Sequence, residues 1–247
     1  MAPLKKIASK SVLFLSDLNN ELGKASDAKR AKNLVWFFKT GKGEYGEGDK
    51  FCGITVPALR KIASRYRHLS FADLRKLLSS EIHEHRLAAL MILVDQYERG
   101  SGELREDIFD FYLANTRSIN NWDLVDASAR DIVGEHLVSR SRKMLYTLVK
   151  SSDLWERRIA IVATHAFIRR GDLADTFKIS KLLLGDPHDL IHKAVGWMLR
   201  EAGKKSERQL VDFIKTHYSA MPRTTLRYAI ERMPETVRKR QLRGEFD

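Results

Sequence analysis

Two indoles, one carboxylate and several guanidinium groups occupy positions from which they could act together on a cationic centre. Trp122 and Asp126 lie four residues apart, so in a helix they share a face, while Asp123 points elsewhere. Trp197 precedes Arg200 by three residues, and Trp155 precedes Arg158 by the same step. A carboxylate set among basic groups repels the phosphates those groups attract. It therefore weakens polyanion binding unless it serves chemistry on positive charge. A sugar that becomes cationic, or a cationic base, meets that requirement, and aromatic faces favour the same ligand by about 0.5–2 kcal/mol each. A carboxylate about 4 Å from a developing positive charge gains on the order of 4 kcal/mol at an effective dielectric of about 20. That is roughly 10³ in rate if the charge exists only in the transition state. Each group also has a plainer role open to it. The tryptophans could fill a core, Asp126 could pair with Arg130 one turn on, and Arg157 with Arg158 could be a solvated pair.

Such side chains need elements to position them, and the periodicity supplies helices. In the segment 81–100, Leu87, Leu90, Met91 and Val94 follow three- and four-residue steps, with Ile82 five residues before Leu87. The segment from Ser152 opens with N-cap candidates Ser152 and Asp153 and stops at Gly171. A third segment has Pro187 in an opening turn and stops at Gly203. No window alternates well enough for a strand, so the chain is expected to be all-α. A basic residue followed by small and apolar residues recurs at Arg86, Arg158, Lys193 and Arg227, at intervals of 72, 35 and 34 residues. The midpoint of the long interval is Trp122, inside another helical stretch. A period of this size is one helical hairpin of a HEAT-like solenoid, whose second helices line a concave face. On that reading Arg86, Trp122, Arg158, Lys193 and Arg227 face one basic groove, in a single helical-repeat domain spanning 1–247.

Two stretches depart from the pattern. Residues 39–54, KTGKGEYGEGDKFCGI, hold five of the 14 glycines. This insert (about 40–53) has no preceding strand and no closing Gly-Lys-Ser/Thr, which excludes a dinucleotide or Walker loop. It could contact a phosphate, since glycines let backbone N–H groups approach a ligand, or it could be a connector or short hairpin. A basic tail, about 235–247, starts as helix and could add DNA affinity or be only solvated.

Composition sets the outer bounds. The chain has 247 residues, a net charge of +12 and a pI near 9.8, with 43% hydrophobic and 31% charged residues. That is a folded protein whose field attracts polyanions, nucleic acid first among them. One cysteine, Cys52, excludes an internal disulfide and a thiolate metal cluster, and it reads as a loop-edge residue. The pairs His83/His85 and His188/His192 lack a third ligand nearby in sequence, so no metal or other cofactor is expected. No run reaches the roughly 18 apolar residues of a membrane span. The start, residues 1–15, reads as the first helix rather than a secretory signal. The expected setting is a monomer in the cytoplasm, at the nucleoid.

The stretches Asn121-Trp122-Asp123-Leu124-Val125-Asp126, Leu154-Trp155-Glu156-Arg157-Arg158-Ile159-Ala160 and Lys193 to Glu201, together with Phe38 to Gly41 and Gly53 to Pro57, resemble the DNA alkylation repair protein family. The resemblance covers roughly 28–232. It implies a HEAT-like fold and a monofunctional DNA glycosylase of base excision repair. Such an enzyme hydrolyses the N-glycosidic bond of cationic N3- or N7-alkylated purines in double-stranded DNA. Asp126 would stabilise an oxocarbenium-like sugar and help position the water, and Trp122 and Trp197 would border the deoxyribose. Arg158 would contact a phosphate near the lesion, with Lys193 and Arg200 along the backbone. Arg157, Arg86 and Arg227 complete the expected DNA-binding set. The family does not require the damaged base to be flipped, and an alkylated purine, already cationic, leaves with little acid assistance. Here the glycine-rich insert is longer than the type member's loop, and Thr55 replaces an amide. The aromatic bordering the cleft could be Phe37, Phe38 or Tyr45. Relatives that bind branched DNA without cutting it supply the alternative, a non-catalytic module for structured DNA. A scaffold for a protein or tRNA is a third reading.

Overall fold

A computed structural model describes residues 13–246. The expected helix over residues 1–15 falls almost wholly outside them, and the first described helix, α1, is Leu15–Ala25. Next come α2 (Ala28–Phe37), α3 (Val56–Ala63), α4 (Phe71–Leu78), α5 (His83–Arg99) and α6 (Gly102–Ala114). The short α7 (Trp122–Asp126) is followed by a π-helical turn, Arg130–Gly134, which runs into α8 (Glu135–Leu137). Beyond these lie α9 (Lys143–Leu148), α10 (Leu154–Ala163), α11 (His165–Arg169), α12 (Ala174–Leu183) and α13 (Asp189–Gly203). The chain closes with α14 (Glu207–His217), α15 (Arg223–Ala229) and α16 (Glu235–Arg243). Among the described residues there is no strand, only an isolated bridge between Lys50 and Ile82. No described helix is long and apolar enough to cross a membrane.

Several of the helices begin where short polar side chains can accept their free N–H groups. Asp27 accepts from Arg30, Thr55 from Ala58, Ser70 from Asp73 and Ser206 from Gln209. Of the two N-cap candidates in the tenth helix, Asp153 takes the role by accepting from the Trp155 N–H. The segment expected to run from Ser152 to Gly171 is broken at Thr164 into α10 and α11. The segment after Trp122 is likewise broken, by the turn at 127–129 and the π-helical turn.

The helices stack as a helical-repeat solenoid. α10 packs on α7, α9 and α13, and α13 packs on α12, α14 and α15. The buried faces join into one apolar core, from Leu18 and Leu22 on α1 to Leu226 and Ile230 at α15. Each buried Leu or Ile contributes roughly 1.5–3 kcal/mol relative to exposure. Close approach of α13 to α15 depends on Gly196, where an added Cβ would lie 2.5 Å from Tyr228 Cβ and 2.6 Å from the Thr225 carbonyl oxygen. That contact sets the height of Trp197, the next residue. The intervals of 34 to 36 residues therefore correspond to successive helices α7, α10, α13 and α15, whose inner ends converge.

Candidate active site

The inner ends of α7, α10, α13 and α15 enclose a cleft of about 780 Å³, closed on one side by Phe37 of α2 and by Tyr45 of the glycine-rich segment. Trp122, Asp126 and Trp197 all line it. Asn121, fully buried, caps α7 by accepting the Trp122 N–H at 2.8 Å. Phe38 stacks on the Trp122 ring at 5.4 Å and Phe37 meets it edge-on at 6.1 Å. The three candidate aromatics thus divide the work. Phe37 and Tyr45 border the cleft, while Phe38, buried, supports Trp122 from behind. Trp155 is core, as its plainer reading allowed, and its indole backs Tyr45 at 6.2 Å.

Asp126 pairs with Arg158 and not with Arg130, which turns to Asp131. The Arg158 Nε donates to Asp126 Oδ1 at 2.9 Å and its Nη2 to Oδ2 at 2.8 Å, while Nη1 donates to the Leu190 carbonyl at 2.6 Å. Asp126 keeps 21% of its side-chain surface exposed and Arg158 only 6%, so the carboxylate is the member of the pair that meets the cleft. Burial pushes the Asp126 carboxyl above its ordinary value, and the Arg158 guanidinium opposes that rise. The bidentate geometry also locks the carboxylate's orientation. All three guanidinium nitrogens of Arg158 are thus bonded within the protein, an anchoring role in place of the free phosphate contact that the resemblance implies.

The other expected DNA contacts separate into two groups. Lys193 and Arg200 line the cleft, Lys193 paired with Asp189 at 2.8 Å and Arg200 with Glu231. With Lys39 and Arg158 they oppose Glu44, Asp126 and Asp189, so the lining carries a small positive excess. Arg86 does not face the cleft. It is 4% exposed, with Nη2 donating to Asp49 at 2.6 Å and Nη1 to the Ser80 carbonyl at 2.9 Å. Arg157 is tied to Asp186 at 2.6 Å and to the carbonyls of Ser151 and Ser152. Arg227 is exposed on α15 outside the lining, where its neighbour Tyr228 takes the inward position. The common face expected for five motif positions therefore holds for three, Trp122, Arg158 and Lys193.

Behind Trp122 lies a buried network that sequence reasoning missed. The His83 imidazole bridges two carboxylates, Nδ1 to Asp49 Oδ2 at 3.1 Å and Nε2 to Asp123 Oδ2 at 2.8 Å. Asp49 also accepts from Arg86 and from the Asn121 amide. Burial alone would lower the His83 value, but Asp123 and Asp49 outweigh it and raise it to about 9, so at neutral pH the ring is an imidazolium. Burial works against the Asp49 carboxylate too, yet His83, Arg86 and Asn121 hold it below its usual value. Glu84 accepts from the backbone N–H groups of Cys52, Gly53 and Ile54 at 3.0, 2.7 and 3.3 Å. Gly53, at φ +82°, lies so close to α2 that a Cβ would sit 2.1 Å from the Asp27 carbonyl. The glycine-rich segment is thus a connector pinned at both Asp49 and Glu84, and it presents Tyr45 to the cleft. The available signal was the polar run His83-Glu84-His85-Arg86 opening a helix whose middle, Leu87 to Val94, is apolar. Burial, helped by Glu84, pushes the Cys52 thiol up to about 11, so it is protonated at neutral pH. Among the described residues no group of three or more His, Cys, Asp or Glu is arranged to hold a metal ion.

A family model described as DNA alkylation repair enzyme matches residues 18–233. Among solved structures, a chain described as a predicted DNA alkylation repair enzyme from Enterococcus faecalis is similar in fold, with a TM-score of 0.65 at 16% sequence identity. That similarity covers 85% of this chain and 97% of the other. A comparison with curated proteins finds no match. With the family pattern running through nearly all of the helical stack that builds the cleft, the chain belongs to the DNA alkylation repair enzyme family.

Proposed function

We propose that the protein is a monofunctional DNA glycosylase that removes cationic N3- or N7-alkylated purines from duplex DNA. The observation that carries this reading is the position of Asp126, a carboxylate opening into a cleft between Trp122 and Trp197 and oriented by Arg158. In the proposed reaction the C1′–N bond breaks and its electron pair passes to the purine, cancelling the charge that alkylation placed there. The sugar becomes oxocarbenium-like, and the Asp126 carboxylate and the two indole faces stabilise that charge. Water adds to C1′, and its proton passes by way of the carboxylate to solvent. No acid need protonate the leaving base. Lys193 and Arg200 meet the phosphates on either side. The enzyme would act as a monomer on nucleoid DNA in the cytoplasm, without drawing the base into a pocket.

The decisive experiment measures release of 7-methylguanine from methylated duplex. Asp126→Asn keeps the shape and an oxygen for Arg158 but removes the charge. It should lower the single-turnover rate by about 10³ while changing DNA affinity by less than about twofold. A variant as active as the parent would remove Asp126 from the mechanism. The bidentate engagement of Asp126 by Arg158 favours a second reading, because a neutralised carboxylate stabilises an incoming cation less. On that reading the protein binds structured DNA without cutting it, and neither the parent nor the variant releases base.

A further inference from the structure

The helix α2 buries none of its residues and leaves Val35, Trp36 and Phe37 exposed at 44%, 84% and 53%. Trp36 is the most exposed of the large hydrophobic side chains among the described residues, and no other ring there is in contact with it. Lys29, Lys32 and Asn33 precede it by seven, four and three positions, so all four lie along one face of α2, and all are exposed. Neither Lys29 nor Lys32 has a carboxylate partner among the described residues. Lys39 and Lys42, just beyond the helix, are equally unpaired. The face is therefore an indole at the end of a row of free ammonium groups. It is also continuous with the cleft, because Phe37 walls both the cleft and the shallow hollow beneath Trp36.

A flat, exposed aromatic ring beside unpaired cations fits a nucleic-acid strand whose bases are not stacked on one another. Every base has a π-face, but in a duplex those faces are covered by neighbouring base pairs, so only an unpaired base can receive the indole. The lysines supply the accompanying phosphate contacts. A helix lying on a membrane would need its apolar residues spread along a face, whereas here they are bunched at the C-terminal end and the first six residues read AKRAKN. We propose that α2 is a second nucleic-acid contact, in which Trp36 stacks on an unpaired base of the DNA whose duplex portion occupies the cleft, while Lys29 and Lys32 hold the adjoining phosphates. Beside the cleft such a base could come from a bulge, a gap or a frayed strand. The inference rests on DNA being the substrate but not on the chemistry assigned to Asp126.

The test uses the full-length protein and unmodified DNA, comparing an intact duplex with the same duplex carrying a short single-stranded gap. Trp36→Ala should weaken binding to the gapped DNA by about tenfold and to the intact duplex by less than about twofold. Trp36→Phe should recover most of the loss, since a ring remains. Because Trp36 contributes nothing to the core, these substitutions leave folding intact. Equal losses on both DNAs, or none on either, would overturn the stacking contact. So would a Trp36-dependent affinity for vesicles of anionic phospholipid that exceeds the affinity for gapped DNA. None of these measurements involves an alkylated base, so their failure leaves the base-release reading standing, and failure of base release leaves them interpretable.

Discussion

The helix α7 presents two aspartates to two assemblies that share a chemistry and differ in where the carboxylate opens. Asp126 meets Arg158 at the cleft wall with 21% of its side-chain surface exposed. Asp123, itself 18% exposed but outside the cleft lining, meets His83 in a network whose other members, His83, Asp49 and Arg86, are each at most 5% exposed. Both assemblies oppose a carboxylate to a cation, but only the first places its carboxylate in the cleft between Trp122 and Trp197. The His83 network ties the glycine-rich segment and α5 to the N-terminal end of α7, and so fixes the base on which Trp122 and Asp126 stand. A pair that is open can do chemistry. A pair tied into a buried network holds position, at a large desolvation cost if one partner is lost.

Breaking each assembly should therefore give opposite signatures. The largest effect is expected on the open side, where Asp126→Asn abolishes most base release, as described above. On the closed side, His83→Ala leaves Asp49 and Asp123 without their imidazolium. It should lower the unfolding free energy by about 3–5 kcal/mol, read by urea denaturation. If His83→Ala instead left stability within about 1 kcal/mol, the network would not be structural.

The same contrast can be sharpened by pH. The His83 value is raised from 6.5 to about 9 in the folded state, so its contribution is fully present below about pH 6.5 and is lost as pH rises through about 9. The amount is on the order of 3 kcal/mol, and denaturation curves across that window should show it for the parent but not for His83→Ala. A smaller effect belongs to the far wall of the cleft. Trp197→Ala removes one aromatic face and should slow base release by about tenfold, with Trp197→Phe near the parent rate. An unchanged rate for Trp197→Ala would restrict charge stabilisation to the α7 side.

Much of the architecture was legible because helix signals are local. The intervals between Arg158, Lys193 and Arg227 matched successive inner helices, and Asp153 and Gly203 marked the ends they were expected to mark. The break at Thr164 and the π-helical turn at 130–134 were not legible, since packing of α10 and α11 against their neighbours interrupts a periodicity that reads as continuous. Within the site, Trp122 and Asp126 were found together because four residues make about one helical turn. Arg86 was misplaced for the opposite reason. Its motif is the same as that of Lys193, but a buried carboxylate from an irregular loop, Asp49, drew it inward. No periodicity reports on such a partner.

The amino-acid order alone determined which side chains share a helix face and how often that face recurs, because the α-helix converts spacing into direction without outside help. Only the tertiary structure decided which charges meet. Arg158 finds Asp126 across 32 positions, and His83 joins Asp49 and Asp123 across 34 and 40. Those distances are set by how closely whole helices approach, and at that range a shift of an ångström or two separates a bidentate ion pair from two side chains in water.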